Sequence, residues 1–221
     1  IANEFWTSRQ RAAHSLHEVS YRACFKPQLP RFFIERFTEP GDWVFDPYMG
    51  RGTTLLEAAF LGRTPMGCDI NPLSQALLAP RLQPPSISEV EQRLAEIKWE
   101  QTENLPQELL VFYHSTTLQH LCSLRSYLQR GPLDVVDRWI QMVALTRLAG
   151  HSPGFFSVYT LPPNQAVSLE SQRRINEKRN QVPPPRDVAQ IILRKSRSLL
   201  ADLTADQQQT LHQQAAGARL F

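Results

Sequence analysis

The sequence has few cysteines, and none of them lies near another. Cys24, Cys68 and Cys122 are the only three. They provide neither the clustered spacing of a zinc site nor an even-numbered disulfide framework, so no metal site is predicted. No apolar run is long enough to cross a bilayer, and no signal peptide is visible. We therefore expect reduced thiols, a cytoplasmic location and no membrane contact.

The chain also lacks a strong excess of either charge. Its 24 basic and 21 acidic residues leave a net charge of +3, which permits a polyanionic partner without requiring one. A length of 221 residues is enough for one large domain, or for one domain and a smaller one. The sequence begins at Ile1 rather than at methionine, so we expect it to be part of a longer gene product.

Glycine is scarce, but two of the nine glycines share one short loop. An apolar run, Val44–Phe45, ends at an acidic residue and predicts a strand. A loop through Gly50 and Gly52 follows, and a helix is predicted from Thr53 to Gly62. Residues 65–68 predict a second strand that ends before Asp69. The order strand, glycine loop, helix, strand is typical of a parallel βαβ unit with a ligand site at the strand ends.

This arrangement suits an adenosine-type ligand. Glycines let the backbone approach a ligand closely, and amides at a helix N-terminus favour an anionic group. Asp69, at the end of the second strand, is placed to accept hydrogen bonds from ribose hydroxyls. The spacing fits neither a Gly-x-Gly-x-x-Gly loop nor a phosphate loop with Gly-Lys-Ser/Thr, so a ligand without pyrophosphate is favoured.

Three motifs resemble those of the amino-group DNA methyltransferases. Residues 46–54, Asp-Pro-Tyr-Met-Gly-Arg-Gly-Thr-Thr, resemble the Asp-Pro-Phe-x-Gly-Ser-Gly-Thr-Thr motif of that family. Residues 67–72, Gly-Cys-Asp-Ile-Asn-Pro, resemble its second motif, and residues 21–27 resemble the segment that packs over the methionine end of the cofactor. Tyr48 and Arg51 depart from the usual phenylalanine and serine. The alternative, an unrelated glycine-turn βαβ unit, does not account for three motifs in this order.

The resemblance implies S-adenosylmethionine as cofactor and methylation of adenine N6 or cytosine N4 in DNA. It also implies a Rossmann-like class I methyltransferase fold of the α/β class, incomplete in this chain. In this interpretation Asp69 holds the ribose, the glycine loop surrounds the methionine moiety, and Phe25 and Lys26 close over it. The candidate cofactor residues are Tyr21, Phe25, Lys26, Asp46, Pro47, Tyr48, Gly50, Gly52, Thr53, Asp69, Ile70 and Asn71.

Beyond the βαβ unit the sequence predicts mainly helices. Helical patterns cover residues 30–37, 73–82, 104–129, 133–149, 187–200 and 204–216, and Ser88 to Glu91 is interpreted as a capping box. We therefore predict a cofactor-binding portion over residues 1–85. Residues 86–221 are predicted to be a helical and basic segment, of the kind that carries target recognition in this family.

A basic run in that segment is the candidate nucleic-acid contact. Its nearby glutamines, Gln165, Gln172 and Gln181, favour phosphate contacts with some base contacts, and duplex DNA is the expected partner. The alternative is an ordinary solvated helical face. The residues singled out are Arg173, Arg174, Lys178 and Arg179.

The second signature that the resemblance implies, a polar residue followed by Pro-Pro and an aromatic, is not found. Leu161-Pro162-Pro163-Asn164 has the spacing but lacks both the polar acceptor and the ring, and residues 183–185 fit less well. Besides the two strands, only residues 155–159 suggest another, whereas the fold needs several more. The catalytic residues are thus unknown, and we expect them in a missing segment or a second chain.

The leading prediction is the cofactor-binding half of a DNA amino-methyltransferase of a restriction-modification type. Two alternatives stay open, an RNA base methyltransferase and a non-catalytic nucleic-acid-binding subunit built on the same scaffold.

Overall fold

Three short parallel strands form the sheet of the computed structural model, which describes residues 13–21, 24–100, 105–161, 165 and 167–221. They are β1 (Trp43–Asp46), β2 (Thr64–Gly67) and β3 (Arg219–Leu220), in the spatial order β1-β2-β3. Trp43 lies opposite Thr64, and Met66 lies opposite Arg219. The two predicted strands are confirmed, the second starting one residue earlier than expected. β3 was not predicted.

Helices make up most of the remaining structure. The α-helices in the described part of the chain are α1 (Gln28–Phe37), α2 (Thr53–Phe60), α3 (Leu73–Leu82), α4 (Ile87–Glu96), α5 (Ser115–Leu128), α6 (Val135–Arg147), α7 (Leu169–Arg179), α8 (Val188–Leu199) and α9 (Ala205–Gly217). Short 3₁₀ helices cover Ser15–His17 and Gln107–Val111. No described helix is long and apolar enough to span a membrane.

The chain divides into two compact units. The first comprises residues 1–84 and 198–221, and the second comprises residues 85–197. The predicted division placed residues 198–221 with the helical segment, and the structure corrects this. These residues join the first unit because β3 pairs with β2 and α9 packs against α2. The local pattern of a short strand does not reveal a partner about 150 residues away.

The core of the first unit is built on α2, which packs against both β1 and β2. The helix is short, and its Leu55, Leu56, Ala58 and Ala59 are fully buried, as predicted. Gly67 allows this close approach, since a Cβ there would lie 2.4 Å from Leu55 Cδ1. The helix therefore holds the carboxyl ends of the two strands in place.

The second unit contains no strand among its described residues. Gly150 and Tyr159 form a single parallel bridge, so the strand suggested for residues 155–159 is wrong. The capping box of α4 uses Ser86 and Glu89, not Ser88 and Glu91 as predicted. Arg93 joins α4 to α6 through Asp134 at 2.8 Å and Asp137 at 2.5 Å.

Candidate functional site

The candidate site lies where β1 and β2 end. Asp46 and Asp69 leave the two strands here, and the glycine loop connects β1 to α2. Met49 N donates to Cys68 O at 3.1 Å, and Cys68 N donates to Asp46 O at 3.1 Å. Tyr48 N donates to Asp46 Oδ1 at 3.0 Å, which tightens the turn. The loop is thus fastened across the end of β2.

Asp69 connects the two motifs. Its Oδ2 accepts a hydrogen bond from Gly50 N at 2.8 Å, and its Oδ1 accepts one from Asn71 N at 2.9 Å. The amide of Asn71 and then that of Gly50 lower the pKa of Asp69 below its ordinary value, and Ser74 adds to the effect. The carboxylate is therefore charged at neutral pH, and each of its oxygens has acceptor capacity left for a ligand.

The two loop glycines have left-handed backbones, with φ of +51° at Gly50 and +78° at Gly52. A Cβ at Gly52 would lie 2.6 Å from Cδ1 of the fully buried Leu78. At Gly50 a Cβ would lie 3.3 Å from Tyr21 Cε1. The sequence argument assigned these glycines to a close approach by a ligand. The structure shows that they also allow close packing of α3 and Tyr21 against the loop.

Tyr21 and Asn71, both predicted as cofactor residues, meet beside the loop. The Tyr21 hydroxyl lies 3.3 Å from Ser74 Oγ and accepts a bond from Asn71 Nδ2 at 3.3 Å. Ser74 is fully buried, and the sequence reasoning missed it. Leu77, Leu78 and Arg81 follow Ser74 at intervals of about three or four residues, so all four lie on one face of α3. This helical periodicity is the sequence signal from which a buried face could have been predicted.

Arg81, the other residue that was missed, supports the loop from behind. Its side chain is fully buried and donates to three backbone carbonyls: Leu77 O at 2.8 Å, Leu16 O at 3.2 Å, and Arg51 O. Burial, and then the charge of Arg51, lower the pKa of Arg81. Arg51 in turn donates to Val19 O at 3.0 Å. The arginine that replaces the usual serine therefore anchors the loop to the N-terminal segment.

The remaining predicted cofactor residues differ in their surroundings. Tyr48 and Ile70 are largely exposed beside Asp69, with relative exposures of 86 % and 103 %. Thr53 is buried at the start of α2, where its Oγ1 accepts a bond from Arg51 Nε at 3.1 Å. Pro47 is exposed next to Asp46, and Lys26 is half-buried before α1.

Phe25 contacts a different feature, a groove between α1 and β1. Arg22 and Ala23, in the same predicted segment, lie outside the described residues. The closure of Phe25 and Lys26 over the cofactor thus stays a prediction.

The basic run lies on α7, in the second unit. All four candidates, Arg173, Arg174, Lys178 and Arg179, are exposed. Arg174 pairs with Glu170, and Arg179 stacks on Tyr159 with its guanidinium carbon 3.7 Å from the ring centroid.

The neighbouring glutamines have a structural role that the sequence did not suggest. Gln172 is fully buried, and both Gln172 Nε2 and Gln181 Nε2 donate to Tyr159 O, at 3.0 and 2.9 Å. These two amides hold the loop before α7 and are not available to read bases. Pro162, Pro163 and Asn164, part of the weak Pro-Pro candidate, lie outside the described residues.

His17 makes a buried contact that should give stability a pH dependence. Its Nε2 lies 2.7 Å from Glu57 Oε1, while Arg31 approaches the same carboxylate. Burial lowers the pKa of His17 below 6.5, although Glu57 acts in the opposite direction and the positive charges of Arg81 and Arg51 add to the lowering. The unfolded chain therefore takes up the proton more readily than the folded chain.

We expect the free energy of unfolding to fall as the pH drops from about 7 to about 5.5, by up to about 1.4 kcal/mol per pH unit from this group. Urea denaturation at several pH values measures this slope. In His17→Gln the contribution should disappear, whereas the exposed His151→Gln should keep it. If the free energy of unfolding of His17→Gln kept the same dependence on pH, the assignment of that dependence to His17 would be contradicted.

A mixed helical structure with a small parallel sheet, and an acidic ligand site at the strand ends, is consistent with a methyltransferase domain. Among the described residues, no group of histidine, cysteine, aspartate and glutamate side chains could hold a metal ion. The sequence model of a DNA methylase family, of the N6/N4 type, matches residues 2–77. The predicted resemblance to the amino-group DNA methyltransferases is confirmed over these residues.

Curated relatives agree with this family. The chain is 33 % identical over 89 residues to Type II methyltransferase M.MjaII of Methanocaldococcus jannaschii, which covers 40 % of this chain and 16 % of the relative. It is 30 % identical over 111 residues to M.MvaI of Kocuria varians, and the match covers 49 % of this chain and 23 % of the relative. It is 44 % identical over 59 residues to M.XycI of Xanthomonas campestris pv. cyanopsidis, and the match covers 27 % of this chain and 20 % of the relative. Each match spans less than a quarter of the relative, and no solved structure matches.

Proposed function

We propose that this chain supplies the S-adenosylmethionine-binding half of a methyltransferase that acts on an exocyclic base amino group in DNA. The observation that best supports this proposal is the hydrogen bond of 2.8 Å between Gly50 N and Asp69 Oδ2. It joins the glycine loop to the acidic strand end and so assembles both motifs into one site. The Rossmann-like class I fold, incomplete in this chain, is part of the same proposal.

The residues present fit this cofactor. The ionised Asp69 offers acceptors for ribose hydroxyls, and the exposed Tyr48 and Ile70 offer apolar surface beside it for an adenine ring. Arg51 and Arg81 add positive charge behind the loop, which favours the carboxylate of the methionine moiety. When bound, the cofactor supplies an electrophilic methyl group; the role of this chain is to bind and orient it.

The acceptor of the target amino proton is not assigned to this chain. A target amino group is paired in a duplex, so the base must leave the stack and meet a polar acceptor and an aromatic ring. We propose that a further segment or a second chain provides these groups.

Labelled methyl transfer from S-adenosylmethionine to duplex DNA and to bulk RNA, followed by nucleoside analysis, tests the proposal. Titration calorimetry of the chain with S-adenosylmethionine is done in parallel. We expect the chain to bind S-adenosylmethionine. Once the complementary part is supplied, we expect N6-methyladenine or N4-methylcytosine to form in DNA. Absence of cofactor binding would overturn the proposal in favour of a non-catalytic subunit, and methylation of RNA alone would establish the RNA enzyme.

For the basic face of α7 we propose contact with DNA phosphates. The double variant Arg173→Ala/Lys178→Ala should bind duplex DNA about tenfold more weakly, and its plot of log affinity against log salt concentration should be less steep by about 2. Fluorescence anisotropy at several salt concentrations measures both. Arg130→Ala/Arg138→Ala removes two exposed arginines from the same unit and serves as the control. Equal losses in the two variants would show only a general charge effect.

A further inference from the structure

A cavity with mainly apolar walls lies within the second unit. Its volume is about 670 Å³, which falls in the range of roughly 300–1,000 Å³ that is usual for small-molecule sites. Its described lining residues lie between residues 106 and 167 and all belong to the second unit. The cavity is therefore separate from the proposed cofactor site, which is built from residues of the first unit.

Two helix faces form most of the wall. On α5, Leu121 and Arg125 are four residues apart and so lie on one face of the helix. On α6, Gln141 and Leu145 have the same spacing. The 3₁₀ helix Gln107–Val111 and the segment before α7 close the remaining sides. Side chains from four segments therefore converge on a space that none of them fills.

Three polar side chains line this apolar space without a partner. Thr160 is only 1 % exposed, yet its hydroxyl forms no hydrogen bond with the described residues. Gln141 is half-buried and Arg125 is exposed, and neither side chain has a hydrogen bond or an ion pair within the described part of the chain. Buried polar groups nearly always have a protein, water or ligand partner. These groups therefore favour a bound molecule that supplies one.

Arg125 gives the mouth of the cavity a positive charge. Burial raises the pKa of the Cys122 thiol, another lining residue, and the charge of Arg125 acts against this effect. The guanidinium is thus close to the cavity wall, while the thiol stays protonated at neutral pH and adds to the apolar surface. A ligand that suits both features combines an apolar body with an anionic group at one end.

The apolar surface of this unit lies mostly inside the cavity and not on the outer face. Among the described residues of the unit, the exposed large hydrophobic side chains are Leu145, Leu148, Tyr159 and Val182. Leu145 and Leu148, each 38 % exposed, line the cavity. A stable protein interface needs about 800 Å² of matching surface on each partner. A small molecule therefore fits this concave site better than a polypeptide does.

We propose that this cavity binds a small carboxylic acid with an apolar body, of the size of a medium-chain fatty acid. The apolar body occupies the space between α5 and α6, and the carboxylate pairs with Arg125. Gln141 and Thr160 offer neutral donors for the same group. The site goes beyond the proposed function and does not depend on it.

Titration calorimetry of the 221-residue chain with sodium decanoate and with decan-1-ol, at concentrations below their aggregation, tests this site. We expect both compounds to bind, and decanoate to bind more tightly. Arg125→Gln should weaken decanoate binding by about fivefold, the size expected for one partly exposed ion pair, and leave decan-1-ol binding unchanged. Arg138→Gln removes an exposed arginine from α6 and should bind both compounds normally.

Cysteine labelling with a maleimide, read by mass spectrometry, locates the bound compound. The free cysteines are Cys24, Cys68 and Cys122, and of these only Cys122 lines the cavity. At a decanoate concentration of about ten times its Kd, labelling of Cys122 should slow by about tenfold, because only the empty cavity exposes the thiol. Labelling of the exposed Cys24 should not change.

Three results would overturn the proposal: no binding of decanoate, binding that leaves the labelling of Cys122 unchanged, or equal losses of affinity in Arg125→Gln and Arg138→Gln. Self-association of the chain that decanoate reverses, measured by analytical ultracentrifugation, would assign the cavity to a polypeptide segment instead. Calorimetry with S-adenosylmethionine keeps this site apart from the proposed function, since each compound can bind or fail to bind without the other.

Discussion

Asp69→Asn is expected to weaken binding of S-adenosylmethionine by about 100-fold, equivalent to roughly 2.7 kcal/mol. The carboxylate accepts hydrogen bonds from two backbone amides, Gly50 N and Asn71 N, one on each oxygen. An asparagine amide has only one acceptor atom, so its NH₂ group must face one of these donors. The variant therefore loses an acceptor for the ribose and also loosens the glycine loop.

Titration calorimetry measures this change, and Asp42→Asn provides a matched control. Asp42 is likewise an acidic residue next to β1 whose Oδ2 accepts a backbone amide bond, from Glu39 N at 2.8 Å, but it lies in an exposed turn before the strand. Its variant should bind the cofactor normally. Normal affinity in Asp69→Asn would remove Asp69 from the cofactor site.

The lowered pKa of Asp69 gives the same assignment a pH signature. A carboxyl group whose pKa lies below 3.8 stays charged throughout the range in which the protein is handled. Binding should therefore show no dependence on this group between about pH 5 and 8, and should weaken only at more acidic pH. Loss of affinity centred near neutral pH would point to a different ionisable group.

Gly52→Ala is expected to destabilise the first unit by roughly 2–4 kcal/mol. Two costs combine at this position. The first is the left-handed backbone, with φ of +78°, which costs about 1 kcal/mol for a residue with a Cβ. The added methyl group would also lie 2.6 Å from Leu78 Cδ1, in a part of the core where that leucine is fully buried. Overpacking of this kind adds about 1–3 kcal/mol or more.

Urea denaturation of Gly52→Ala and Gly41→Ala separates the two costs. Gly41 also has a positive φ, +94°, but a Cβ there would meet nothing within 4 Å. Gly41→Ala should therefore lose only the backbone term, about 1 kcal/mol. Adding Leu78→Ala to Gly52→Ala should cost less than the sum of the two single changes, because it removes the clash. Additive losses would show that Leu78 does not limit this position.

The sequence by itself determined the βαβ unit and the position of its candidate site. Val44–Phe45, the glycine loop and the apolar run of α2 are contiguous, so local periodicity and turn chemistry were sufficient to predict strand, loop and helix. Asp69 follows the second predicted strand directly. Because parallel strands place their carboxyl ends at one edge, its proximity to the loop was predictable without coordinates. The structure confirms that proximity in the bond between Gly50 N and Asp69 Oδ2.

Only the tertiary structure decided which distant residues complete these elements. Arg81, Ser74 and Leu78 support the loop from α3, and β3 joins the sheet from the C-terminal end of the chain. Gln172, assigned to base contacts on composition alone, is instead buried against Tyr159 O. Local periodicity shows that a helix face will be buried or that a short segment is apolar. It does not show which partner lies opposite, because that choice depends on packing between segments far apart in the chain.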